Sequence, residues 1–149
     1  MVHTSPMRHF GILIKNFLFC GFIGWCLECF WTGLASILQK KDKTLTCHTS
    51  IWMFPIYGMA SFLAPISRLL KNQCAIIRGG VYTILIFSTE LLTGTILKKY
   101  KACPWDYSSS KYNYHGVIRF DYAPAWFFVG LLYERLLKKS QSKSNINQK

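Results

Sequence analysis

Acidic residues are scarce in this chain. Only 6 Asp and Glu stand against 18 Lys and Arg, and charged residues make up 16% of the 149 positions. A soluble domain of this length spreads more charge along its helices. The scarcity of charge therefore argues against an ordinary soluble domain.

The chain also lacks the sequence motifs of several enzyme classes. It contains no G-x-x-x-x-G-K-[ST] phosphate loop and no nucleophile elbow, so any ATP hydrolysis must come from another chain. The four histidines have no metal-ligand spacing, and the C-x-x-C pair of Cys26 and Cys29 has no second pair and lies in an apolar run. We predict no cofactor and no metal, and the sequence identifies no catalytic residue.

Long apolar stretches are what the chain does have. Hydrophobic residues form 51% of it and concentrate in four segments, at about 16–38, 51–70, 79–97 and 117–137. A helix needs about 20 apolar residues to cross a bilayer core of about 30 Å. The first segment is too long for the apolar part of a signal peptide. The sequence therefore predicts an all-α polytopic membrane protein, a bundle of four transmembrane helices with a long aromatic-rich loop between helices 3 and 4.

Two of these segments are irregular. Pro55, Gly58 and Pro65 interrupt the second, which predicts a kinked helix. The fourth carries Glu134 and Arg135 near its far end, so it spans only if flanking charges reach the interface. A re-entrant or surface helix is the alternative for this segment.

The basic residues flank the apolar segments, where anionic lipid head groups attract them. The net charge of +12 therefore indicates the lipid bilayer as partner and no nucleic acid. In the predicted topology, ten basic residues lie on the side of the membrane that holds the termini and eight lie on the other side. This difference favours cytoplasmic termini of a multi-pass protein. We predict one membrane domain, residues 1–138, and a disordered basic tail, residues 139–149.

Two glutamates lie near the middle of predicted spans. A carboxylate facing lipid costs roughly 2.5–3.5 kcal/mol, so Glu28 and Glu90 should face the interior of the bundle. Small residues share the helix face of each glutamate, and in an up-down-up-down bundle both glutamates lie at about the same depth. The predicted intramembrane polar site comprises Glu28, Glu90, Trp25, Thr93 and Gly94.

The role of these glutamates stays open at this point. Two carboxylates at one depth can share a proton, bind a cation or a cationic substrate, relay protons, or act as acid and base on a lipid. A purely structural role is equally compatible with the residues. In that case each glutamate hydrogen-bonds a Trp, Tyr or Thr and fixes the helix register.

The loop between the third and fourth segments carries a dense polar and aromatic motif. We take Trp105, Asp106, Tyr107 and Ser108 as a candidate loop site. Aromatic residues beside a span are typical of interfacial anchoring, and a folded lid that presents Asp106 to the glutamates is the alternative. Cys47 and Cys103 fall in the two loops expected on one face, so a disulfide between them is compatible with an extracellular or lumenal face.

Six short motifs occur in a fixed order along the chain: Gly24-Trp25-x-x-Glu28, Pro55-Ile56-Tyr57-Gly58, Glu90-x-x-Thr93-Gly94, Cys103-Pro104-Trp105-Asp106-Tyr107-Ser108, Gly116-x-Ile118 and Trp126-x-x-x-Gly130. With them the chain resembles the transmembrane protein 229 family and, more distantly, bacterial CmpB-like proteins labelled ABC-transporter permeases. The resemblance covers residues from about Gly24 to Glu134. It implies a small multi-pass membrane protein and no particular activity.

The sequence favours a membrane-embedded subunit or a binding or assembly partner, associated with transport. The chain is small for a transporter built on paired repeats, so a substrate path needs a membrane protein partner or a homo-oligomer. The alternative is an intramembrane enzyme that acts on a lipid through Glu28, Glu90 and Asp106. An enzyme is less favoured, because the chain shows no evident nucleophile or metal set.

Overall fold

The computed structural model of the chain describes residues 6–41 and 43–146 and is mostly helical. Its α-helices are α1 (Pro6–Lys40), α2 (Met53–Gly58), α3 (Leu63–Leu69), α4 (Ala75–Lys99) and α5 (Ala123–Ile146). A 3-10 turn, Met59–Phe62, joins α2 to α3, and another, Phe120–Tyr122, precedes α5. Strands β1 (Asn113–Tyr114) and β2 (Ile118–Arg119) form an antiparallel hairpin between α4 and α5. The predicted helical class is confirmed, with this hairpin as an addition.

Two of the described helices are long and apolar enough to cross a membrane. They are Phe10–Leu38 within α1 and Ala75–Lys99, which is all of α4. Both expose many large apolar side chains, including Phe22 and Phe30 on α1 and Ile84 and Leu92 on α4. Such surfaces are typical of helices that face lipid. The first and third predicted spans therefore coincide with membrane-length helices.

The second and fourth predicted spans look different in the structure. The segment 51–70 divides into α2, a 3-10 turn and α3, as its prolines and glycine restrict the helical hydrogen bonds. Residues 117–122 contain the second strand of the hairpin and a 3-10 turn, so α5 begins only at Ala123, with Pro124 tolerated in its first turn. Helix α5 then continues to Ile146, past residue 138, where the sequence predicts a disordered tail.

A left-handed residue ends α4 and directs the chain into the loop. Lys101 has φ +55°, and the amide of Ala102 donates to the carbonyl of Leu97 at 2.8 Å. The amide of Lys101 donates to the carbonyl of Lys98 at 3.0 Å. This pair of bonds is a Schellman motif, which satisfies the last carbonyls of the helix and stops it.

The chain forms two compact units, with Ser61 at the end of the first and Phe62 at the start of the second. In the first unit, the segment after α1 returns antiparallel along it, so that Leu45 lies against Gly33 and Phe54 against Gly21. In the second unit, α4 and α5 pack antiparallel, with Gly79 against Phe127. Helix α3 also packs on α5.

Candidate functional site

Glu28 forms a hydrogen bond with Tyr57 in the first unit. The Tyr57 hydroxyl donates to Oε2 of Glu28 at 2.6 Å, across 29 positions of the sequence. This distance lies in the range of hydroxyl–carboxylate hydrogen bonds, which are about twice as strong as neutral ones. The carboxylate predicted to face a protein interior thus bonds a residue of α2.

Glycine at position 24 allows Tyr57 to reach Glu28. A Cβ atom at Gly24 would lie 2.1 Å from Cγ and 2.2 Å from Cβ of Tyr57. These atoms adjoin the Tyr57 backbone, so they cannot move away without moving α2. The small residue therefore serves a close approach of two helices, as is usual for helix interfaces in membranes.

Two further side chains of α1 fix the connection that leads to α2. The Trp25 indole donates to the carbonyl of Ser50 at 2.8 Å. The Thr32 hydroxyl accepts a hydrogen bond from the amide of His48 at 3.0 Å. Trp25 also packs edge-on against Phe54, with ring centroids 5.5 Å apart. The connection is therefore bound to α1 on both sides of Glu28.

The remaining residues of the predicted polar site lie on α4, in the second unit. Glu90 is buried, and Thr93 donates within the helix to the carbonyl of Thr89 at 2.7 Å. A Cβ atom at Gly94 would lie 2.3 Å from Val117 and 3.0 Å from the Trp105 ring. Gly94 thus provides the surface on which the loop motif rests.

The loop motif folds onto the hairpin and onto the 3-10 turn that follows it. The Trp105 indole donates to the carbonyl of Val117 at 3.0 Å, and the amide of Tyr107 donates to the carbonyl of Gly116 at 2.9 Å. Tyr107 also stacks edge-on with Tyr122. Gly116 sits at the turn of the hairpin with φ +64°, a conformation that favours glycine. The loop is therefore a folded element with its own hydrogen bonds.

Asp106 binds this loop to the end of α4. Its Oδ1 accepts hydrogen bonds from the Ser108 hydroxyl at 2.6 Å, from Lys98 at 3.1 Å and from the Ser108 amide at 3.1 Å. The bonds from Ser108 and Lys98 lower the pKa of Asp106 to about 2. The carboxylate is therefore ionised at neutral pH, and it joins the loop to the end of α4.

Sequence reasoning missed a buried charge cluster in the second unit. Glu134 on α5 is almost fully buried and accepts hydrogen bonds from Arg78 at 3.1 Å and from Lys138. The spacing of Glu134 and Lys138 was the available signal, because side chains four positions apart on a helix can pair. Arg78 lies 56 positions away, and no local pattern connects it to Glu134.

The chain is a helical protein associated with membranes. It has apolar helices of membrane length with exposed apolar surfaces, and polar residues that are held in contacts with other parts of the protein. The chain belongs to the family described as "Putative ABC-transporter type IV", whose sequence pattern matches residues 15–149. The CmpB-like part of the resemblance seen in the sequence is thereby confirmed. No solved structure matches the chain.

Proposed function

We propose that this protein is a membrane-embedded, transport-associated subunit that works with a separate ATP-hydrolysing chain. The Glu28–Tyr57 hydrogen bond carries the proposal. It holds a carboxylate of a membrane-length helix in a contact inside the protein, in a chain that belongs to a transporter-related family. The chain has no phosphate loop of its own, so the energy source must be a partner. A homo-oligomer is the other assembly that would provide a path.

In this proposal the chain crosses the membrane four times, with both termini on the cytoplasmic side. The helical segment Met53–Leu69 carries no charge before Arg68, which suits a crossing. The buried Glu134 on α5 is compatible with a crossing as well, because it pairs with Arg78 and does not face lipid. A relationship with the transmembrane protein 229 family is part of the same proposal, supported by the Cys-Pro-Trp-Asp-Tyr-Ser segment.

Labelling of cysteines introduced near the two termini will test the four crossings. In intact vesicles of a variant without its native cysteines, cysteines at Val2 and Asn145 should react with a membrane-impermeant maleimide from the same side. An even number of crossings requires this result. Labelling from opposite sides would exclude four spans.

The Glu28–Tyr57 hydrogen bond supplies the proposed connection between structure and transport. It is a polar contact between α1 and α2 in an apolar setting, and it holds α2 in the position on which the proposed partner docks. Asp106 does not fit the alternative enzymatic role, because a carboxylate with a pKa of about 2 is a weak base at neutral pH.

Purification from native membranes in mild detergent will test the partnership. We expect an ATP-hydrolysing protein to co-purify with the wild-type chain and with the control variant Gly11→Ala, whose added methyl group meets no atom within 4 Å. Tyr57→Phe removes the donor of the hydrogen bond, and Glu28→Gln replaces the charged acceptor with a neutral one. Both changes remove little volume, so each variant should lose this partner while keeping normal expression. Mass spectrometry of the eluates provides the measurement.

Two results would contradict the proposal. One is recovery of the chain alone, or only with copies of itself, when crosslinking in native membranes gives the same answer. The other is an unchanged partner in both Tyr57→Phe and Glu28→Gln, which would leave the hydrogen bond with a structural role only.

A further inference from the structure

Two cysteines that are far apart in the sequence lie side by side in the first unit. The side chain of Cys29 on α1 interacts with that of Cys47 in the connection to α2. Both are free thiols in the structure. Cys103, the partner of Cys47 that the sequence suggested, belongs to the second unit.

The contacts around the two thiols hold the backbones in this position. Gly33 lies one helical turn after Cys29, and a Cβ atom there would be 3.7 Å from Cβ of Cys47 and 3.1 Å from the carbonyl oxygen of Leu45. The Thr32 hydroxyl binds the amide of His48, the residue after Cys47. Leu45 and His48, on either side of Cys47, therefore lie against the turn of α1 that follows Cys29.

Cys47 and the connection around it are exposed on the surface of the unit. Helix α1 has 35 residues, which corresponds to about 52 Å at 1.5 Å per residue and exceeds a bilayer core of about 30 Å. The connection beside Cys29 is non-helical backbone with exposed polar side chains at Thr44, Thr46 and His48. Backbone of this kind does not face lipid, and no described part of the unit covers these exposed side chains, so we take the connection to lie at an aqueous surface or cavity.

We propose that Cys29 and Cys47 are a redox-active dithiol, a modification site at which a small disulfide such as oxidised glutathione closes a reversible crosslink. The Cys47 thiolate attacks one sulfur of the small disulfide and expels its first thiolate. The Cys29 thiolate then attacks the Cys47 sulfur of the mixed disulfide and expels the second. Two electrons pass to the small disulfide, and the two protons from the cysteines end on the released thiols.

The crosslink acts on the connection between α1 and α2, which leads to Tyr57, the hydrogen-bond partner of Glu28. Closing it attaches the connection covalently to α1 beside the Thr32–His48 bond and within one turn of Glu28. The connection also carries Ser50, the acceptor of the Trp25 hydrogen bond. Oxidation therefore fixes the connection that leads to Tyr57 against α1, and reduction lets this connection move again.

Peptide mapping of the full-length protein tests this proposal without any substitution. Protein in mild detergent is incubated with oxidised glutathione, free thiols are blocked with N-ethylmaleimide, and the digest is analysed by mass spectrometry. We expect a linked peptide pair containing Cys29 and Cys47, lighter than the two reduced peptides by two hydrogen atoms. Dithiothreitol should separate the pair and restore maleimide labelling of both residues.

Cysteine variants identify the partner and control for folding. Cys29→Ser and Cys47→Ser should each lose the linked pair, whereas Cys26→Ser, at an exposed position of the same helix, should keep it. Each variant is first checked for a monodisperse elution profile. Persistent maleimide labelling of both Cys29 and Cys47 in the oxidised wild type overturns the proposal. A linked pair of Cys47 with Cys26 or Cys103 overturns it too.

Discussion

Replacing Gly24 with alanine will strongly destabilise the first unit, whereas the same replacement at Gly11 will not. A methyl group at Gly24 would lie 2.1 Å from Cγ and 2.2 Å from Cβ of Tyr57, but nothing lies within 4 Å of the equivalent position at Gly11. Overpacking of this kind costs about 1–3 kcal/mol, and we expect the upper end because the Tyr57 atoms adjoin the backbone.

Both glycines lie in α1, so the helical preference of alanine, about 1 kcal/mol, largely cancels in the comparison. Thermal unfolding followed by size-exclusion chromatography in detergent will measure the difference. Tyr57→Phe provides a second reference, because it removes the hydrogen bond to the Glu28 carboxylate, about 1.5–3 kcal/mol, without adding volume. Gly24→Ala should therefore lower the melting temperature relative to Gly11→Ala. Equal melting temperatures for the Gly24→Ala and Gly11→Ala variants would contradict the close approach.

Removing the charge of Glu134 will destabilise the second unit by about 3 kcal/mol, the lower end of the range for a broken buried pair. Only 4% of the Glu134 side chain and 23% of the Arg78 side chain are exposed, and their atoms Oε2 and Nε are 3.1 Å apart. In Glu134→Gln the Arg78 cation stays largely buried with no carboxylate. Lys138 contributes less to the loss, because half of its side chain is exposed to solvent.

Three further variants make this prediction specific. Arg135→Gln, at the exposed neighbouring position, should change stability by no more than about 0.5 kcal/mol. The double variant Arg78→Met/Glu134→Met should recover much of the loss seen in Glu134→Gln, because an apolar pair leaves no buried charge. Chemical or thermal unfolding in detergent serves for all of them. If adding Lys138→Met to Glu134→Gln restored the stability instead, Arg78 would not be the main partner of Glu134.

Local sequence patterns were sufficient for the long helices. The apolar runs at 16–38 and 79–97 predicted membrane-length helices, and the structure has such helices at Phe10–Leu38 and Ala75–Lys99. Hydrophobic length is a property of the chain alone, because it compares contiguous residues with the thickness of a bilayer. The same patterns failed at 117–122, where a hairpin and a 3-10 turn precede α5, because apolar content does not distinguish a short strand from a helical turn.

The contacts of the polar residues came only from the tertiary structure. Helical spacing placed small residues on the face of α1 that carries Glu28, but it could not show which segment covers that face. The return of residues 45–58 along α1 brings Tyr57 to Glu28 and Cys47 to Cys29. Periodicity fixes the direction of a side chain around its own helix axis. The residue that this side chain contacts depends on how the following chain folds back onto the helix, and the packing of the whole unit decides that.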